Sequence, residues 1–122
     1  MHRIYVISLS EGKYYVGMTT DLEKRLAVHA SKREKDRPRW CRPHVFQGLH
    51  WVSEDEFEDT ERALWEEDFV TVNFIERFGI SNVRGGSFIE KDDAVVRHKL
   101  DLWYRNRMRK YQPKPLEERG ER

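Results

Sequence analysis

The chain has 122 residues, enough for one domain with a modest core. Charged residues make up 37% and hydrophobic ones 38%, and a net charge of +1 decides neither for nor against nucleic acid, so the distribution of charge has to be read instead. A single cysteine, Cys41, excludes an internal disulfide; with no signal-peptide pattern and no apolar run near the ~18 residues of a membrane helix, an intracellular protein is expected.

Residues 2–9 (HRIYVISL) are β-branched and aromatic and predict a mostly buried strand. SEG supplies a turn with Gly12 available for positive φ, and residues 13–18 (KYYVGM) predict the returning strand of a hairpin. Thr20 and Glu23 have the spacing of a capping box, opening a helix that runs to about residue 32 with Leu22 and Leu26 on its seam. Residues 33–44 are basic, carry two prolines and read as a loop, and residues 45–52 predict a third strand. Ser53 and Glu56 repeat the capping pattern ahead of a long helix over about 54–78, whose stripe is Phe57, Leu64, Val72, Ile75 and Phe78 and whose stop is Gly79. Residues 80–88 are turn-rich. A last helix is predicted over about 91–111, with Val95, Val96, Leu100, Leu102, Trp103 and Met108 as apolar positions, followed by a frayed tail at 113–122.

Charge is segregated along the chain. Residues 24–42 hold Lys24, Arg25, Lys32, Arg33, Lys35, Arg37, Arg39 and Arg42 against Glu34 and Asp36. Residues 97–110 are basic again through Arg97, Lys99, Arg105, Arg107, Arg109 and Lys110, while 54–68 are acidic. Two basic regions interleaved with Trp40, Trp103 and Tyr104 suggest a phosphate-contacting surface, to which Lys13, Arg33, Arg37, Arg39, Arg105, Arg107, Arg109 and Lys110 would contribute. A solvated face partly paired with the acidic segment explains the same charges.

A more specific pattern sits at the hairpin. Tyr5 and Tyr15 fall on adjacent strands and place both hydroxyls toward one edge of the sheet. Gly17 follows on the second strand, where a missing side chain would let the next helix pack closely. Arg25 and His29 are one helical turn apart and border the Leu22–Leu26 seam. A cation and an imidazole thus border two phenols where packing requires neither.

These residues resemble the motifs of the GIY-YIG nuclease family. Arg3-Ile4-Tyr5 resembles the first motif, with Arg3 in place of the usual glycine, and Tyr15-Val16-Gly17 resembles the second. Arg25 lies eight residues past Gly17 and His29 four further on, as in the family's following helix. ALWEEDFVTVNFIERFGISNVRGG resembles the helix that carries the family's metal-binding glutamate, and Asn82 its closing asparagine. Glu66, Glu67 and Asp68 are consecutive; the pattern A-x-x-x-E-D-x-x-T favours Glu67, on one face with Ala63, Val70, Thr71 and Phe74, while its neighbours project about 100° to either side.

The resemblance implies an α+β fold, a small three-stranded antiparallel sheet flanked by helices, occupying residues 1–88. Residues 89–112 would form a basic helix packed on or extending that core. It implies a metal-dependent endonuclease acting on DNA, with Mg²⁺ or Mn²⁺ held by Glu67, Arg25 stabilising the phosphate, Tyr5 or Tyr15 accepting the water's proton, and His29 orienting or relaying. A protein partner or further domain would supply specificity. Two other readings use the same residues: a domain that binds nucleic acid without cutting, and an interaction module whose basic C-terminal helix docks on an acidic protein.

Overall fold

The computed structural model describes the backbone of residues 1–110 and the side chains of residues 1–106. Strand β1 (Arg3–Leu9) and strand β2 (Lys13–Thr19) form the hairpin, in register from Arg3 opposite Thr19 to Leu9 opposite Lys13. The turn needs left-handed backbone at Glu11 (φ 64°) and Gly12 (φ 71°), which glycine adopts without the cost of a Cβ clash. Alternation then sorts the strands onto two faces. Ile4, Val6 and Val16 enter one buried cluster; Tyr5, Ile7 and Leu9 enter the other.

Helix α1 (Leu22–His29) follows. Its N-cap is Asp21, whose carboxylate accepts from the Lys24 N–H at 3.1 Å, rather than Thr20; Thr19 Oγ1 in turn accepts from the Asp21 N–H. The helix ends at His29, short of the expected residue 32, because Ala30 and Ser31 turn back onto the Leu26 and Val28 carbonyls. Residues 33–45 are a loop with two short 3-10 turns that lays Trp40 and Cys41 into the cluster beneath Tyr5.

Strand β3 (Phe46–Val52) pairs antiparallel with β1, with irregularities that twist this edge strand. The long helix α2 spans Thr60–Phe78, beginning later than residue 54. Ser53 is not its cap: its hydroxyl accepts from the Ile4 N–H and donates to the Asp55 carbonyl, so it extends the sheet edge instead. Asp59 caps α2 by accepting from the Glu61 N–H. Phe57 lies outside the helix, bridged to His2. Val72, Phe74 and Ile75 bury against the Ile4–Val6–Val16 face, whereas Leu64, expected on that stripe, is exposed.

The sheet has four strands in the order β3-β1-β2-β4, because strand β4 (Val83–Gly85) adds to β2 in parallel. This extends the expected antiparallel three; a three-residue strand inside a glycine-rich turn lacks the alternation that marks strands in sequence. Helix α3 (Asp93–Lys110) closes the same face as α2, burying Val96 and Leu100, with Trp103 and Tyr104 partly buried; Val95 and Leu102 point out. The expected contributions of Met108 and of the 113–122 tail lie outside the described residues. Among the described residues no helix is long and apolar enough to cross a membrane.

Candidate active site

Tyr5 and Tyr15 share the face of the sheet covered by α1 and by Trp40–Cys41. Tyr5 lies opposite Gly17, and Tyr15 opposite Ile7, so the phenols are diagonal neighbours. A Cβ at position 17 would collide with the Tyr5 hydroxyl and ring. Gly17 therefore makes room for a phenol, where closer packing of the following helix was expected.

His29, the last residue of α1, is 1% exposed and reaches both phenols, with ring centroids 5.6 Å from Tyr5 and 5.6 Å from Tyr15. Its Nε2 is 2.8 Å from the Tyr5 hydroxyl. Burial, then the charges of Arg25 and Arg37, hold the imidazole pKa down at about 4, so the ring is neutral at pH 7. A neutral ring at that distance accepts from the Tyr5 hydroxyl in the tautomer protonated at Nδ1 and donates to it in the other. Both phenols are held well above the usual tyrosine range. Desolvation dominates in each; Tyr15, Cys41 and Glu67 also raise Tyr5, Cys41 and Glu67 raise Tyr15, and Arg25 opposes in both. The Cys41 thiol, buried and pushed up to about 12, is a packing group.

Arg25 is exposed at the rim of this cluster. Glu67 enters from α2. It lies near enough for its charge to act on both phenols and for Arg25 to act on it. The three consecutive acids then part company. Glu66 pairs with Arg62 at 3.1 Å. Both oxygens of Asp68 are taken by Ser87, from its N–H at 2.8 Å and its hydroxyl at 2.9 Å, and a side chain at Gly86 would collide with Asp68. The Glu67 carboxylate forms no hydrogen bond or ion pair with the described residues, and burial, reinforced by Asp68 against the opposing Arg25, raises its pKa to about 7. An unpartnered, half-buried carboxylate is a group that could hold a cation. Among the described residues no group of three or more His, Cys, Asp or Glu converges, so the donor set is one carboxylate, which fits a hard cation that keeps its waters and takes substrate oxygens.

The remaining sequence-predicted residues divide. Asn82 is a latch: its amide donates to the Phe78 carbonyl at 2.8 Å, closing α2, and its oxygen accepts from Lys13 Nζ at 3.2 Å. Lys13 is thus engaged rather than free. Arg37 is spent in part on the loop, donating to the His44 and Arg42 carbonyls. Arg33 is exposed beside Asp36, and Arg39 and Arg105 are exposed. The side chains of Arg107, Arg109 and Lys110 lie outside the described residues.

Sequence reasoning misses Arg84. It is 0% exposed, yet its guanidinium meets the carbonyls of Ile80, Val83, Glu90 and Lys91 and the Asp93 carboxylate at 2.5 Å, with its carbon 5.5 Å from the Trp40 ring centre. It joins β4, the start of α3 and the loop under Tyr5. An arginine between valine and glycine carries no sequence signal of such burial, nor does the Asp68–Ser87 tie across 19 positions.

Comparison with known proteins places the chain among relatives. A UPF0213 protein of Bacillus cereus is 34% identical over 68 residues, 56% of this chain and 65% of the relative. A UPF0213 protein of Halobacterium salinarum is 55% identical over 29 residues, 24% of this chain and 38% of the relative. The chain thus spans less than two thirds of the length of these curated relatives. No solved structure matches. The family model described as GIY-YIG catalytic domain matches residues 1–75, more than half of the chain and the stretch that holds both tyrosines, Arg25, His29 and Glu67, so the chain belongs to the GIY-YIG family.

Proposed function

We propose that the protein is a metal-dependent endonuclease that hydrolyses phosphodiester bonds of DNA at the Tyr5–Tyr15–Arg25–His29–Glu67 cluster. The observation that carries this reading is the pairing of an unpartnered carboxylate, Glu67, with a phenol already bonded to a neutral imidazole, Tyr5 to His29 at 2.8 Å. Family membership supports a nuclease-type chemistry.

Glu67 would hold Mg²⁺ or Mn²⁺, which when bound supplies positive charge beside the leaving oxygen. The chain's own groups do the rest. A phenol whose pKa is raised resists becoming a free phenolate, so Tyr5 takes a proton from the attacking water as it gives its own to His29 Nε2. Neutral His29, in the tautomer protonated at Nδ1, has the open lone pair this relay needs. Tyr15, a residue only partly buried, orients the water from the next strand. Arg25, at the open rim, contacts the phosphate oxygens as charge builds on them, and a planar guanidinium meets two at once.

The test is a cleavage assay with the purified chain on single-stranded, duplex, flap and branched DNA, in Mg²⁺, Mn²⁺ and EDTA. Product with either metal and none with EDTA is expected. Salt-dependent binding without product would leave a nucleic-acid-binding domain, and no binding at all would leave an interaction module.

A further inference from the structure

A cavity at the end of α1 has His29 in its wall. It has a volume of about 500 Å³ and lies between the end of α1 and the loop before β3, with His29, Lys32, Glu34, Arg37, Arg42 and His44 in its wall. Three of these residues carry a buried nitrogen with no hydrogen-bond partner among the described residues: His29 Nδ1, Arg37 Nε and His44 Nδ1. Buried polar atoms in folded proteins are nearly always paired, so three orphans around one space need a common explanation.

Arg37 Nε is a hydrogen-bond donor in every state. His29 Nδ1 is a second donor in the tautomer whose Nε2 accepts from Tyr5. The cations around them are held in place without being neutralised. Arg37 donates to the His44 and Arg42 carbonyls, and Arg42 to the Arg37 and Lys35 carbonyls; neither guanidinium meets a carboxylate among the described residues. Carbonyls fix a guanidinium in position and leave its charge uncancelled. Of the acids, only Glu34 stands in the wall, on the exposed side of the loop. The excess of positive charge is felt by the histidines: Arg37 helps depress His29, and burial with Lys13 depresses His44 against Glu11.

We infer that this cavity is a binding site for a phosphate group, received by His29 Nδ1–H, Arg37 Nε–H and His44, with Arg42 and Lys32 supplying charge. A water would satisfy one or two of these nitrogens, but it would leave the guanidinium charges uncompensated. A tetrahedral anion meets donors and charge together. The group comes either from free phosphate or from a nucleic-acid chain, and both present the same oxygens. The site does not depend on the nuclease reading. Only one consequence does: an oxygen accepting from Nδ1–H would fix the tautomer whose Nε2 takes the Tyr5 proton.

The experiment is an NMR titration of the imidazole nitrogens of the full chain with inorganic phosphate, at pH 7 and constant ionic strength. Of the five histidines, His29 and His44 should shift along one saturable curve with a midpoint on the order of millimolar, while His2, His50 and His98 stay still. Arg42→Gln should weaken binding about tenfold, the loss of a charge-assisted hydrogen bond. Arg42 also braces the loop, so Lys32→Gln, which breaks no bond among the described residues, serves as the second variant; it should weaken binding by a smaller factor with an unchanged melting temperature. Displacement of phosphate by a 5′-phosphorylated oligonucleotide alone assigns a DNA end. Displacement by its unphosphorylated twin as well assigns a backbone phosphate, and displacement by neither assigns the free ion. No saturable shift up to about 50 mM, or equal movement of all five histidines as bulk screening would give, overturns the site. Because binding is read without cleavage, an inactive enzyme with a saturable shift, or the reverse, separates this inference from the proposed function.

Discussion

Glu67 and its neighbours Glu66 and Asp68 are chemically alike and adjacent, yet their surroundings give them different work. Asp68 ties the 85–88 turn and Glu66 pairs on the helix surface, which leaves Glu67 as the carboxylate unspent among the three. Arg25 should be intolerant of conservative change for a similar reason of geometry. Arg25→Lys keeps the charge and loses the planar fork, and should lower the cleavage rate by about 10²-fold with an unchanged melting temperature, since loss of one oriented donor costs that order. Near wild-type turnover by the lysine variant would sink the bidentate contact. Gly17→Ala drives a methyl into the Tyr5 ring, and should cost roughly 1–3 kcal/mol in chemical denaturation, the range for overpacking a filled site, with cleavage falling as Tyr5 is displaced. The spacing of Tyr5, Tyr15, Arg25 and His29 was legible because hairpin and helix periods are local rules. What Gly17 accommodates was not, since a cross-strand contact is invisible until the register is known.

At the scale of elements, capping and β4 mark where local reading stops. Two S/T-x-x-E patterns predicted helix starts at Thr20 and Ser53, but aspartates at 21 and 59 take both caps. Ser53 is drawn away by the Ile4 N–H, a partner 49 positions distant. β4 exists because parallel pairing with β2 and the buried Arg84 hold a glycine-rich segment extended. Arg84→Leu would leave several carbonyls without their donor, while the half-exposed Asp93 keeps Ser81, and should destabilise by roughly 1–3 kcal/mol, the range for leaving buried acceptors unpaired. Since Arg84 lies against Trp40, under the phenols, that variant should also disturb the Tyr5 environment in near-ultraviolet circular dichroism. A stability loss well under about 1 kcal/mol would show that the polar cluster is dispensable.

For the whole molecule, pH acts through groups held off their usual titration. Unfolded, His29 takes a proton near 6.5; folded, only near 4. The unfolded chain binds more protons between those values, so stability present above pH 6.5 is lost as pH falls toward 4, by roughly 3 kcal/mol. Glu67 has the opposite sign. Its pKa rises from 4.5 to about 7, so the stability it contributes at low pH is lost as pH climbs through that range. Glu67→Gln should therefore make the metal-free protein more stable at pH 8 than the wild type in urea titrations. An equal or lower midpoint would mean that Glu67 is already compensated by a partner.

The charge of α3 belongs to the same scale. Val96 and Leu100 anchor this helix in the core, so deleting it would confuse folding with binding. Changing Arg105, Arg107, Arg109 and Lys110 to Gln tests the basic surface instead. For every phosphate of duplex DNA that these side chains no longer neutralise, the salt slope of binding should fall by about 0.9. An unchanged slope would remove this helix from the nucleic-acid surface.

The central claim is that Glu67 is the one carboxylate on which cleavage depends. It is tested by comparing wild type, Glu66→Ala, Glu67→Ala and Asp68→Ala for Mg²⁺-dependent DNA cleavage alongside DNA affinity measured in EDTA. The expected result is that Glu67→Ala cuts at least about 10³-fold more slowly while binding DNA as the wild type does, that Glu66→Ala cuts normally, and that any loss in Asp68→Ala follows a lower melting temperature. Normal cutting by Glu67→Ala, with a stable but inactive Asp68→Ala or Glu66→Ala, would contradict it.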